Sequence, residues 1–168
     1  MISTVATEKM KDELDFILFA VKQAKEAEKF GFTRNICCRN LKIALHHYWQ
    51  HKTLGFHGQI EKQNIPRSKA ARGKKKTECQ VEHVIPQMMI VNMLMDMKKL
   101  SKPAAKSVLE KYFHVLLVTN EEHSRLNSSG LRSSMPDGWD EKNIWARYEA
   151  VGIKSETRLA TGSRERRR

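Results

Sequence analysis

Cysteine is scarce in this chain of 168 residues. The three present, Cys37, Cys38 and Cys79, include no Cys-x-x-Cys pair. This argues against a zinc site built from cysteines, and an odd count with two adjacent residues argues against a disulfide framework. Long apolar runs are also missing. No stretch approaches the ~18 apolar residues of a membrane-spanning helix. Met1–Lys11 lacks the basic start and unbroken apolar run of a secretory leader. A soluble, cytoplasmic chain that uses no membrane is therefore expected. No internal repeat is visible. Acidic residues are the minority charge, 19 against 31 Lys plus Arg, for a net charge of +12. Such an excess points to polyanions, nucleic acid before anionic lipid.

What is present is enough for a core. At 40% hydrophobic the chain can bury apolar surface, and its length fits one compact domain or a core with an appendage. Thr7–Phe30 reads as an amphipathic helix. Leu14, Ile17, Leu18 and Val21 share one face, and Gly31 is a natural stop. Thr33 can cap a second helix to about Trp49 or His51, with Cys37, Leu41, Ala44, Leu45 and Tyr48 inward. His46, His47, His51 and His57 crowd this region without an acidic companion, so they read as solvent-facing or nucleic-acid-facing. Gly55–Lys76 breaks the periodicity. It carries Lys62, Arg67, Lys69, Arg72, Lys74, Lys75 and Lys76 against Glu61 alone, and reads as a flexible basic loop that contacts nucleic-acid phosphates.

Glu78–Ile85 reads as a strand, with Pro86 in the first turn of a helix. Met88–Met97 is a largely buried helix with Asn92 and Asp96 as its polar stripe. Ser101 can cap the next helix, with Pro103 in its first turn. His114–Val118 reads as a second strand. Asn120 looks like the N-cap of a short helix that ends near Gly130, and Ser133–Gly138 reads as a turn segment. Asp140 can cap a last helix to Gly152, and Thr157–Arg168 reads as a disordered tail. The expected fold is α+β and mainly helical. Residues 1–54 form a helical region, 55–77 the basic loop, 78–153 a two-strand-and-helix core with a helical insertion, and 154–168 a basic tail.

Two segments carry candidate chemistry, ECQVEHVIP (Glu78–Pro86) and HVLLVTNEEHSRLN (His114–Asn127). His123 and Asn127 lie four apart on one helix, so they leave the same face. Glu82 and His83 are neighbours at a strand's end, where one of them or both can reach that face. A carboxylate, an imidazole and an amide oxygen suit a divalent metal with open positions, and a second imidazole can act as general base.

This pattern resembles the HNH, or ββα-metal, nuclease superfamily, and within it the colicin-type DNase domains. The resemblance rests on Glu82-His83-Val84-Ile85-Pro86, on the strand His114–Thr119, and on His123 with Asn127. It covers Glu78–Asn127 with a helical interruption. It implies a metal-dependent endonuclease acting on DNA, with His83 as general base. Glu82, His123 and Asn127 would hold one divalent ion, magnesium first, with manganese, nickel or zinc as alternatives. His114 stands where the family has a strand-orienting Asn. The alternatives are an RNase using the same site, or a non-catalytic basic nucleic-acid-binding protein.

Overall fold

A computed structural model describes residues 12–54 and 65–155 of the chain. The fold is α+β and mainly helical, with one small two-stranded sheet. The first helix, α1, runs Glu13–Lys29. Thr7 lies outside the described residues. The cap is Asp12, whose carboxylate accepts from the Asp15 amide while the Asp15 carboxylate accepts from the Asp12 amide. Each partner thus satisfies an orphan donor of the other. Leu14, Ile17, Ala20, Val21 and Ala24 form the buried face. Gly31, at φ +86°, turns the chain away as expected.

The expected second helix is broken in two, α2 (Arg34–Cys37) and α3 (Arg39–Leu54), with Cys38 between them. Thr33 precedes α2 but its side chain makes no capping bond. The buried set shifts by one residue at its two ends only. Cys38, Leu41, Ala44, Leu45 and Trp49 are buried, whereas Cys37 and Tyr48 are only half-buried. The core cysteine is therefore Cys38. These residues pack on α1, at ~1.5–3 kcal/mol for each large apolar side chain taken fully out of water.

A 3-10 turn, Lys76–Glu78, leads into β1, Cys79–His83. Pro86 is the N-cap of α4 (Gln87–Met95), where its missing N–H costs nothing to the helix. The Asn92–Asp96 stripe is used. Arg34 bonds Asn92 at 3.5 Å and Asp96 at 2.8 Å, and pairs with Glu28 at 2.7 Å, tying α1, α2 and α4 together. Ser101 caps α5 (Lys102–Tyr112), accepting from the Ala104 amide, with Pro103 in the first turn. The second strand, β2, is Val115–Thr119. It pairs antiparallel with β1 from Cys79↔Thr119 to His83↔Val115, and α6 (Asn120–Ser128) follows at once.

All five β2 residues are buried. Such a strand reads as an unbroken apolar run because both its faces are covered. Its outer edge is covered too. The Leu117 amide donates to the Pro66 carbonyl at 2.7 Å, and Leu117 accepts from the Ser68 amide at 2.9 Å. From Ile65 onward the basic segment is thus pinned to the sheet and is no free loop. Ile65, Ser68 and Ala71 are buried, and the Ser68 hydroxyl donates to the buried Glu122 carboxylate. Lys154 and Ser155 pair with the same segment and close the core.

Two caps differ from expectation. Thr119 caps α6, in place of Asn120, because the Thr119 hydroxyl and the Glu122 carboxylate satisfy each other's amides. Asp140 accepts from the amides of Lys142 and Asn143, but this closes a turn and no helix follows directly. The last helix, α7, is only Ala146–Ala150. Thr157–Arg168 lies outside the described residues. No helix among the described residues is long and apolar enough to cross a membrane.

Candidate active site

The sheet and α6 bring three of the expected residues together. The end of β1 carries Glu82 toward α6, which packs on both strands. Glu82 Oε1 lies 2.6 Å from His123 Nδ1. The other imidazole nitrogen, His123 Nε2, lies 2.9 Å from Asn127 Nδ2. One tautomer satisfies both contacts: Nδ1–H donates to the carboxylate and Nε2 accepts from the amide. Asn127 therefore holds the far edge of the His123 ring, and Glu82 the near edge.

His83 adjoins this pair. Glu82 and His83 would point to opposite faces in mid-strand, yet both line one cavity of about 210 Å³, with Val81, Pro86, Gln87, Met88, Arg132, Ser133 and Arg147. The strand ends at His83, which is still paired with Val115. The His83 ring stacks on Phe113, with centroids 5.3 Å apart and planes 17° from parallel. Burial pushes its imidazole down to about 4; nearby Glu82 opposes this and Arg147 adds to it. The ring is thus neutral at physiological pH. Its buried Nδ1 has no hydrogen-bond partner among the described residues. Leaving a buried nitrogen without a partner costs ~1–3 kcal/mol.

His114 meets the His83 end of β1 through its main chain. Its carbonyl accepts from the Val84 amide at 2.8 Å, one step beyond the His83↔Val115 pair. That bond holds the residue after His83 in place.

The residue that sequence reasoning missed is Arg147. Its side chain is 1% exposed, and it donates to five acceptors besides a long contact to Tyr148. These are Glu82 Oε2 at 2.8 Å, the His83 carbonyl, the Val84 carbonyl at 3.1 Å, and the Leu131 and Arg132 carbonyls at 2.7 and 3.2 Å. A guanidinium has five N–H bonds in a fixed plane, and here all three of its nitrogens are engaged. The Tyr148 hydroxyl adds a bond to the His83 carbonyl at 3.2 Å, and burial pushes that phenol up to about 12. Arg147 fixes one Glu82 oxygen and leaves the other facing His123. The signal available in sequence was a lone cation inside Trp145-Ala146-Arg147-Tyr148.

Glu82 and His123 are suitable donors for a divalent ion. To hold one, Nδ1 would have to give up its proton, so the ring would take the other tautomer, with Nε2–H toward Asn127 and that amide turned to present its oxygen. Asn127 engages the opposite ring nitrogen, so it orients His123 in this arrangement and does not join Glu82 on one centre. Among the described residues, no three His, Cys, Asp or Glu side chains cluster as a ready-made metal site.

The basic residues divide into two groups. Arg67 is half-buried and donates to the Ala71 carbonyl at 3.0 Å, so it braces its own turn. Lys69, Arg72, Lys74, Lys75 and Lys76 are exposed. Lys74 and Glu78 line a second cavity of about 190 Å³ at the start of α6. Lys62 lies outside the described residues. His46 and His47 are exposed on α3, with ring centroids 6.3 Å apart.

Neither family models, curated proteins nor solved structures give a match to this chain.

Proposed function

We propose that the chain is a metal-dependent endonuclease of the HNH type, hydrolysing phosphodiester bonds of DNA. The observation that carries this reading is the contact of Glu82 Oε1 with His123 Nδ1 at 2.6 Å, beside a His83 whose buried Nδ1 has no hydrogen-bond partner among the described residues. Glu82 and His123 would hold one divalent ion, magnesium or manganese first, given a carboxylate donor. When bound, that ion supplies Lewis acidity toward the phosphate and the departing oxygen. His83 takes a proton from water as the water oxygen bonds to phosphorus, and the bond from phosphorus to the 3′ oxygen breaks. Proton transfer to a positioned base contributes about 10²–10⁴-fold. Arg147 keeps Glu82 in one rotamer, and Asn127 keeps the His123 ring in one orientation. The net charge of +12 and the exposed Lys69–Lys76 cations favour a polyanionic substrate.

A second reading has a specific observation in its favour. Glu82 and His123 also satisfy each other directly, and Arg147 balances the carboxylate, as in a structural ion pair of a non-catalytic nucleic-acid-binding protein. Incubating the purified chain with supercoiled plasmid, linear duplex and structured RNA separates the readings. The nuclease reading expects cleavage with magnesium or manganese and none with EDTA. Binding without cleavage in any metal overturns it, and cleavage of RNA alone moves the substrate to RNA.

A further inference from the structure

We propose that Arg132 is the phosphate-gripping residue of this site, a role that rests on the nuclease reading. Arg132 lines the same cavity as Glu82 and His83. Its side chain is exposed and has no partner among the described residues. Its backbone, by contrast, is held tightly. The carbonyls of Leu131 and Arg132 both accept from Arg147 Nη1, and the Leu131 amide donates to Leu126 at 2.9 Å. Leu131 itself is buried. A flexible cation is thus anchored at its root by the guanidinium that also fixes Glu82.

Charge balance selects the ligand. Among the charged carboxylate and guanidinium groups lining the cavity, Glu82 and Arg147 pair at 2.8 Å and cancel. Arg132 is left over, so the wall carries one uncompensated positive charge. A phosphodiester bears one negative charge and two non-bridging oxygens, which match the planar fork of an arginine. Ser133, also on the cavity wall, adds a hydroxyl. Gln87 is committed elsewhere, its amide donating to the Lys42 carbonyl at 3.3 Å. The root of Arg132 is fixed before substrate arrives, so binding has only its side chain left to order.

The test uses the full chain and a fluorescent duplex DNA. Affinity is measured by anisotropy in EDTA across a salt series, and single-turnover cleavage is measured separately with manganese. Arg132→Ala is expected to flatten the slope of log K against log salt by about 0.9, the value of one lost phosphate contact. It is also expected to slow cleavage about 10–100-fold, as the loss of one charged hydrogen-bonding group does. Arg132→Lys restores the slope, since the charge returns, but not the full rate, since the fork does not. An unchanged slope and rate for Arg132→Ala overturns the role of Arg132. A wild-type chain that binds without cleaving, while Arg132→Ala still flattens the slope, overturns the nuclease reading and supports Arg132 as a phosphate contact.

Discussion

Replacing Arg147 with methionine keeps a long apolar stem and removes every hydrogen-bond donor. Five acceptors lose a partner at once: Glu82 Oε2 and the carbonyls of His83, Val84, Leu131 and Arg132. The Glu82 side chain is 17% exposed, so its carboxylate cannot fully rehydrate. Removing one partner of a buried ion pair costs about 3–5 kcal/mol, because the other charge stays behind. That is a large share of the ~5–15 kcal/mol by which a domain is stable. With a urea slope of about 2 kcal/mol per molar, the unfolding midpoint should fall by about 1.5–2.5 M. Urea denaturation followed by circular dichroism measures this. Adding Glu82→Gln to Arg147→Met should restore about 1–3 kcal/mol, since the stranded charge is then gone. A midpoint shift below about 0.3 M for Arg147→Met would refute the reasoning, and so would a double variant no more stable than the single one.

Two further outcomes follow from the same geometry. Because the folded His83 titrates near 4 and the unfolded one near 6.5, the native state binds fewer protons between these values. Stability of the metal-free chain should therefore fall as pH drops from about 6.5 to 4, by up to roughly 3 kcal/mol from this group, and His83→Gln should flatten that limb in EDTA. His123→Ala should abolish manganese binding in calorimetry, whereas Asn127→Ala, which removes only the ring's outer support, should weaken it about 10–100-fold, as changes to orienting partners do. Equal affinity for wild type and His123→Ala would remove the site.

Much of the fold was legible because local chemistry and tertiary packing agree. Pro86 and the Ser101-Lys102-Pro103 start restrict the backbone, Gly31 accepts the positive φ that ends α1, and all three mark helix boundaries as expected. Where two residues could serve, the choice was set by contacts distant in sequence. Thr119 outcompetes Asn120 as a cap because Glu122 answers it and is itself held by Ser68, 54 residues away. The break at Cys38 has no proline or glycine to announce it. The basic segment seemed mobile because its charges hide the apolar Ile65 and Ala71 that dock it. At the site, helical spacing foretold His123 with Asn127, and the strand end foretold Glu82. It could not tell which edge of the imidazole each would occupy. Arg147 was marked only by its apolar neighbours, since its five acceptors come from two segments, 82–84 and 131–132, that only the fold brings together.

The central claim is that His83 serves as the base of a metal-dependent cleavage. The most direct measurement is single-turnover nicking of supercoiled plasmid with manganese by wild type and His83→Ala, each checked for folding and for DNA affinity. The account predicts equal affinity and a rate lower by about 10²–10⁴-fold in the variant. A folded His83→Ala protein that cuts within about threefold of the wild-type rate would contradict it.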